Sequence, residues 1–320
     1  MGSVASKNNV TQLILTDLFQ GPEVQRVCFV VFLPVYLATV VGTGLMVLTV
    51  SVSKSLHFPM YFFLSYLSLM EISYSSTVVP KFITDLLTII KTLTQIKIIS
   101  MEGCLAQIFF FHFFGVTEIF LLTVMVYDCY VAICEPLHYT IIMSQPVCHL
   151  LVAGPWMGGV IDSMVQILVT VQLPFGGPNV IDHYFYDLHL LFKVAYTDTF
   201  VEGVIVLTNS GLISVISILM LVSSYVIILV NLRSHSAEGR CKALSTCASH
   251  ITVFILFSGS AIFLYTRPSS TFTKDKLVVI FCVIITPMLN PIFYTFRNTE
   301  VKNNTRRLWG KKGNAGVERK

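Results

Sequence analysis

The chain has 320 residues, 54% of them hydrophobic and only 12% charged, with a formal net charge of +4. Soluble domains carry about 25% charged residues, so this composition excludes an ordinary soluble fold. The small positive excess calls for no nucleic-acid partner and suits a basic face set against anionic membrane lipid.

Taken in chain order, residues 1–26 form a polar arm. They lack a basic start followed by a clean apolar run, so no cleavable signal peptide is expected and the first span acts as the targeting signal. Asn9-Val10-Thr11 is a glycosylation acceptor, placing the arm outside the cell. Long apolar stretches then recur near Val27–Ser53, Pro59–Val79, Ala106–Ile133, His149–Leu173, Val201–Asn231, Ala243–Tyr265 and Val278–Phe296. Each is about the 20 residues that a helix needs to cross the hydrocarbon core. The stretches are too long and too uniformly apolar for barrel strands, so helices satisfy the backbone. The expected fold is an all-α membrane protein, a bundle of seven transmembrane helices over residues 27–297. Pro34, Pro155, Pro287 and Pro291 fall inside the spans as kinks that neighbouring helices can accommodate.

Residues 298–320 make a tail with a short amphipathic helix. Arg297, Lys302, Arg306, Arg307, Lys311, Lys312, Arg319 and Lys320 crowd this end. By the positive-inside rule it is cytoplasmic, and seven spans then leave the N-terminus extracellular.

Four segments carry the most information. They are Met125-Val126-Tyr127-Asp128-Cys129-Tyr130-Val131-Ala132-Ile133-Cys134-Glu135-Pro136-Leu137-His138-Tyr139, Pro59-Met60-Tyr61-Phe62-Phe63-Leu64-Ser65, Lys242-Ala243-Leu244-Ser245-Thr246-Cys247-Ala248-Ser249-His250 and Pro287-Met288-Leu289-Asn290-Pro291-Ile292-Phe293-Tyr294. By their order along the chain, on these spans, they resemble the signatures of olfactory receptors, a branch of the rhodopsin-like G-protein-coupled receptors. The resemblance covers nearly the whole chain. It implies a multi-pass receptor of the plasma membrane that binds a small volatile odorant and signals through a heterotrimeric G protein of the olfactory Gs type.

One departure sits inside the first motif. Where the family carries arginine, this chain has Cys129, which offers no charge and only a weak donor. By resemblance, Asp128, Cys129, Tyr130, Tyr225 and Tyr294 form the coupling end. Two readings of Asp128 stay open, a functional acid or a solvated helix-end carboxylate.

Acids inside a membrane are expensive and point to function. Glu71 stands where the family usually has aspartate, and Glu118 where it keeps glutamate. With Asn290 they suit a sodium ion or shared protons; the alternative is a polar network that only packs helices. Thr43 replaces the family's asparagine in the same network. The ligand pocket is expected between the third, fifth and sixth spans. Phe111, His112, Gly115, Val116 and Ile119 line it at helical spacing, faced by Thr208, Asn209, Phe257, Ile262 and Tyr265. Each has packing as its alternative role.

The second extracellular loop also departs from the family. Gly176, Tyr186 and Tyr196 stand where family segments carry cysteines, so Cys104 is expected unpaired, with no disulfide to hold the loop. His183, Tyr186 and Asp187 replace a proposed metal triplet and lack its soft ligand, so neither metal nor other cofactor is expected beyond the possible sodium ion.

The competing reading is a degenerate receptor, silent or poorly surfaced, that lost its arginine and loop cysteines. A retinal protein is excluded because Val278–Phe296 has no lysine. No paired repeats indicate a transporter. No nucleophile, base and orienting group converge, so the chain is not read as an enzyme.

Overall fold

The computed structural model describes residues 12–15, 22–52, 58–92, 97–173, 180–181, 199–232 and 251–259, with positions 192, 244, 248, 262, 284–287 and 289. Long helices dominate. α1 (Pro22–Val52), α2 (Pro59–Thr92), α3 (Met101–Cys134), α5 (Gln145–Val171) and α6 (Phe200–Asn231) cover the first five expected spans. The short α4 (Tyr139–Ile142) lies between α3 and α5. Residues 251–259 are helical within the sixth expected span. Among the described residues, four helices, α1, α3, α5 and α6, are long and apolar enough to cross a membrane.

Helix ends follow local capping rather than the hydropathy edges. α3 begins at Met101, five residues before Ala106, because the Ser100 hydroxyl accepts from the Gly103 N–H at 3.1 Å and Glu102 sits in the first turn. It stops at Cys134, since Glu135 precedes Pro136 and a residue before proline avoids helical geometry. α5 starts at Gln145, with Ser144 at its cap and Pro146 in its first turn. α2 runs through Pro80 to Thr92, past the expected end at Val79, and its buried positions continue at Phe82, Ile83 and Leu86.

The bundle turns an unusual set of residues inward. On α1 the buried face is Thr39, Thr43, Met46 and Thr49, while Val27, Val30, Val41 and Leu48 are exposed. Small inward residues let helices approach closely where lipid supplies no hydrophobic drive between them. Tyr36 of α1 and Ser76 of α2 share a 2.9 Å hydrogen bond, and Phe32 meets Phe82 edge-on at 5.8 Å. α3 is the central helix, packed against α2, α5 and α6. Gly159 permits its approach to α5: a Cβ there would lie 2.8 Å from the Phe113 carbonyl.

One feature adds to the all-α expectation. A small three-stranded sheet joins β1 (Gln12–Leu15), β2 (Lys97–Ser100) and β3 (Val180–Ile181) in the order β2-β1-β3. β1 runs antiparallel to β2, with Gln12 opposite Ser100, and parallel to β3, with Ile14 opposite Val180. The N-terminal arm thereby ties the α2–α3 connection to the α5–α6 connection at one end of the bundle. α4 lies at the other.

Candidate functional site

In the sheet-end half, α3 presents the residues read as pocket lining. Phe111, His112, Val116 and Ile119 are buried, and Gly115 is half-buried. Phe111 stacks on Tyr74 of α2 with ring centroids 5.0 Å apart, and Tyr74 meets Phe257 at 5.8 Å. A Cβ on Gly115 would stand 3.4 Å from the Tyr74 ring. Three helical segments thus share one aromatic layer, with Tyr74 at its centre.

The adjoining face of α3, one residue and about 100° further round, is polar. His112 Nδ1 lies 4.0 Å from Oδ2 of Asp162 on α5. The other oxygen, Oδ1, accepts from the Asn209 amide on α6 at 2.5 Å. Gln166, one turn further along α5, donates to the Ser210 hydroxyl at 3.5 Å. His112 and Asn209, both read from sequence as ligand residues, therefore meet through a third residue that the sequence reading passed over. The rule that singled out Glu71 and Glu118, an acid within an apolar span, applies equally to Asp162.

Thr208 needs correcting. It is exposed, because the inward face of α6 is Val206, Ser210, Ser214, Ser217, Leu221 and Ile228. Two residues on from Val206 is about 200° of helical rotation, which points away from the bundle. Ile262 is half-buried. Tyr265, Asn290, Tyr294 and Asn9 lie outside the described residues.

In mid-bundle, Glu71 and Glu118 are buried, at 1% and 0% exposure. Neither carboxylate oxygen of Glu118 has a hydrogen-bond partner among the described residues. Thr43 is buried too, but its hydroxyl bonds the Thr39 carbonyl of its own helix, so it offers no donor across to α2.

At the α4 end, Asp128 is buried and accepts a 2.9 Å hydrogen bond from the Tyr139 hydroxyl. The reading of Asp128 as a solvated helix-end acid is therefore overturned. Burial and the neighbouring Asp128 carboxylate push the Tyr139 phenol above its ordinary range, so it stays a proton donor. Cys129 is buried within α3. Tyr130 and Tyr225 pack on one small cluster around Ile228 and Leu232, joining α3 to α6. The Asn231 amide reaches Cys134 Sγ at 3.0 Å in the same seam. A cavity of about 540 Å³ opens beside Tyr139, lined among others by Phe62, Met143 and His149.

Cys104 is a free thiol at 0% exposure. Gly176, Tyr186 and Tyr196 lie outside the described residues.

A family profile described as olfactory receptor matches residues 32–312. The chain belongs to the olfactory receptor family. The receptor is 73% identical to human olfactory receptor 4B1 over 315 residues, covering 98% of this chain and all of that one. Mouse olfactory receptor 4B13 is 67% identical, with 97% and 99% covered, and human olfactory receptor 4S2 is 53% identical, with 95% and 96% covered. The receptor is thus an odorant receptor of a membrane-protein family that signals through G proteins, and it is not an enzyme. These matches lend no support to the reading of a degenerate chain.

Proposed function

We propose that the receptor holds its odorant between α3, α5, α6 and the sixth span, against the layer of Phe111, Tyr74 and Phe257. The convergence of His112 and Asn209 on Asp162 carries this reading, because it sets a few polar groups beside apolar and aromatic walls. Gly115, Val116 and Ile119 form the floor, with Ile262 of the sixth span; Tyr265 joins them by its place in the sequence alone. The occupant is a small volatile molecule.

In this reading the N-terminus and the sheet face outward, and the α4 end and the basic tail face the cytoplasm at the plasma membrane. Support comes from the charge of the tail and from the sheet, which groups the three segments that one topology puts on one side. Residues 1–26 form the extracellular arm with its glycan acceptor at Asn9, residues 27–297 the receptor domain, and residues 298–320 the tail. Exposed apolar faces on α1, α5 and α6 meet lipid.

Signalling works by population shift. An odorant that binds one arrangement of the bundle better than the other moves the equilibrium towards it by no more than that difference in affinity. The Tyr130–Tyr225 seam between α3 and α6 and the Asp128–Tyr139 bond are the contacts at the α4 end that such a shift must rearrange, with Cys129 between them and Tyr294 on the seventh span. The partner is a heterotrimeric G protein of the olfactory Gs type.

Glu71 and Glu118, with Asn290, suit a sodium ion or a shared proton. What favours a positive group there is Glu118, whose two buried oxygens have no hydrogen-bond donor among the described residues. Bound there, the ion would supply positive charge to the buried carboxylates.

Cell-surface staining paired with a cAMP readout over an odorant panel tests the reading. The expected result is surface arrival and a dose-dependent cAMP rise to at least one odorant. A chain that reaches the surface and answers none would refute it.

A further inference from the structure

The polar cluster between α3, α5 and α6 is incompletely satisfied, and what it lacks is chemically specific. Asp162 is 3% exposed and Gln166 is 0% exposed. Asp162 Oδ1 has its donor in Asn209, whereas Oδ2 has no hydrogen bond and only His112 Nδ1 at 4.0 Å. Gln166 donates one amide N–H to Ser210 and turns the same amide towards Asp162, while its carbonyl oxygen has no partner among the described residues. The Ser163 hydroxyl beside them is also buried without one. Buried polar atoms are satisfied in nearly all folded proteins. Among the described residues, two acceptors one helical turn apart have no donor, roughly 25 and 31 Å along α5 from Gln145 at 1.5 Å per residue.

We propose that Asp162 and Gln166 receive the polar end of the odorant, and that this end is a hydrogen-bond donor, an alcohol or an amine. The inference deepens the odorant site proposed above and rests on it. An alcohol donates to Asp162 Oδ2 and can accept from the Ser163 hydroxyl. An amine donates to both acceptors and, when protonated, offsets the carboxylate. A carboxylate end meets Asp162 as a like charge, and an aldehyde leaves both acceptors unpaired. The apolar remainder lies along Val116 and the aromatic layer. Asp162 thereby sets the class of odorant rather than only joining three helices.

Matched probes test this. Octanol, octylamine, octanal and octanoic acid, with their benzyl counterparts, are applied to cells expressing the full chain and to receptor purified in detergent. Surface staining, cAMP and the thermal midpoint are read together. In the wild type, alcohol or amine should raise the midpoint and lead the cAMP ranking. Asp162→Asn keeps the side-chain shape and an acceptor for Asn209. It should weaken the donor probes roughly tenfold or more, as loss of a charge-assisted hydrogen bond does, and raise the aldehyde's rank. Gln166→Met, similar in length, should weaken the same probes and provides the check should Asp162→Asn not reach the surface. A ranking led by octanal or octanoic acid, no midpoint shift with any probe, or a ranking that both substitutions leave unchanged overturns the proposal. Wild-type receptor stabilised by donors but silent in cAMP supports the ligand class while removing the signalling reading.

Discussion

The Tyr139 hydroxyl donates to Asp128 Oδ1 across 2.9 Å, and so ties the end of α3 to α4 in a chain whose next residue, Cys129, can supply no cation. The acid keeps a partner even though the arginine is gone. That partner comes from the same motif, eleven positions on.

The bond predicts an asymmetric mutational response. Tyr139→Phe strips the donor from a buried carboxylate and should cost about 1–3 kcal/mol, whereas Asp128→Asn, which keeps an acceptor, should cost less. Thermal melting of the two variants and their double mutant measures the coupling. Additive losses would show that the residues act separately.

The same bond has a pH signature. A phenol held above its ordinary value contributes stability that is complete below the unfolded tyrosine value near 10. That stability is lost as pH rises through the higher folded value. Melting between neutral pH and strongly alkaline pH should therefore fall more steeply for wild type than for Tyr139→Phe. Parallel curves would remove the linkage.

Helix contact gives the next prediction. At Gly159 an added Cβ meets the Phe113 carbonyl and the Thr117 hydroxyl, while at Gly154, five residues earlier on α5, it meets nothing within 4 Å. Gly159→Ala should destabilise by about 1–3 kcal/mol, the usual cost of overpacking. Gly154→Ala should be neutral or stabilising, since alanine is the better helix former. Equal midpoints for the two variants would contradict the close approach of α3 and α5.

What the sequence makes legible follows from the strength of each physical signal. Five long helices are legible because each is longer than the hydrocarbon core is thick, and four of them are strongly apolar as well. Their ends do not show, because Ser100 and the Ser144–Pro146 turn set them through caps of one or two residues. The sheet escapes notice because its strands have four, four and two residues and pair only across distant loops. The inward face of α3 is legible from helical spacing, and Phe111, His112, Val116 and Ile119 are buried on it. On α6 the inward side is marked by Ser210, Ser214 and Ser217 at spacings of four and three, a stripe that hydropathy alone does not bring out, and Thr208 lies off it. Asp162 needs no structure to be noticed, but its joining of His112 to Asn209 does.

Glu71 and Glu118 carry a prediction that does not depend on what neutralises them. If one sodium ion or one proton is shared, Glu71→Gln and Glu118→Gln should be non-additive in thermal midpoint, and sodium should stabilise wild type more than choline at equal ionic strength. Non-additivity without a sodium effect points to a shared proton. Additive losses in both salts would leave only packing.

Cys104 provides the most direct test of the sheet end. Its thiol is free and fully buried near the start of α3, where β2 runs into the helix through Ser100. A buried thiol reacts slowly whether or not it is bonded, so two conditions are needed. In intact cells an impermeant maleimide should leave Cys104 unlabelled, with or without reductant. After denaturation without reductant it should label fully, which a cysteine in a disulfide cannot do. β1 holds β2, which leads into the start of α3, through the pairs from Gln12–Ser100 to Leu15–Lys97. Ile14→Pro, which removes a backbone donor in the central strand, should therefore raise native labelling of Cys104 and lower surface staining. Labelling that still requires reductant after denaturation would reveal a bonded partner. Native labelling unchanged by Ile14→Pro would show that the helices bury this thiol without the sheet.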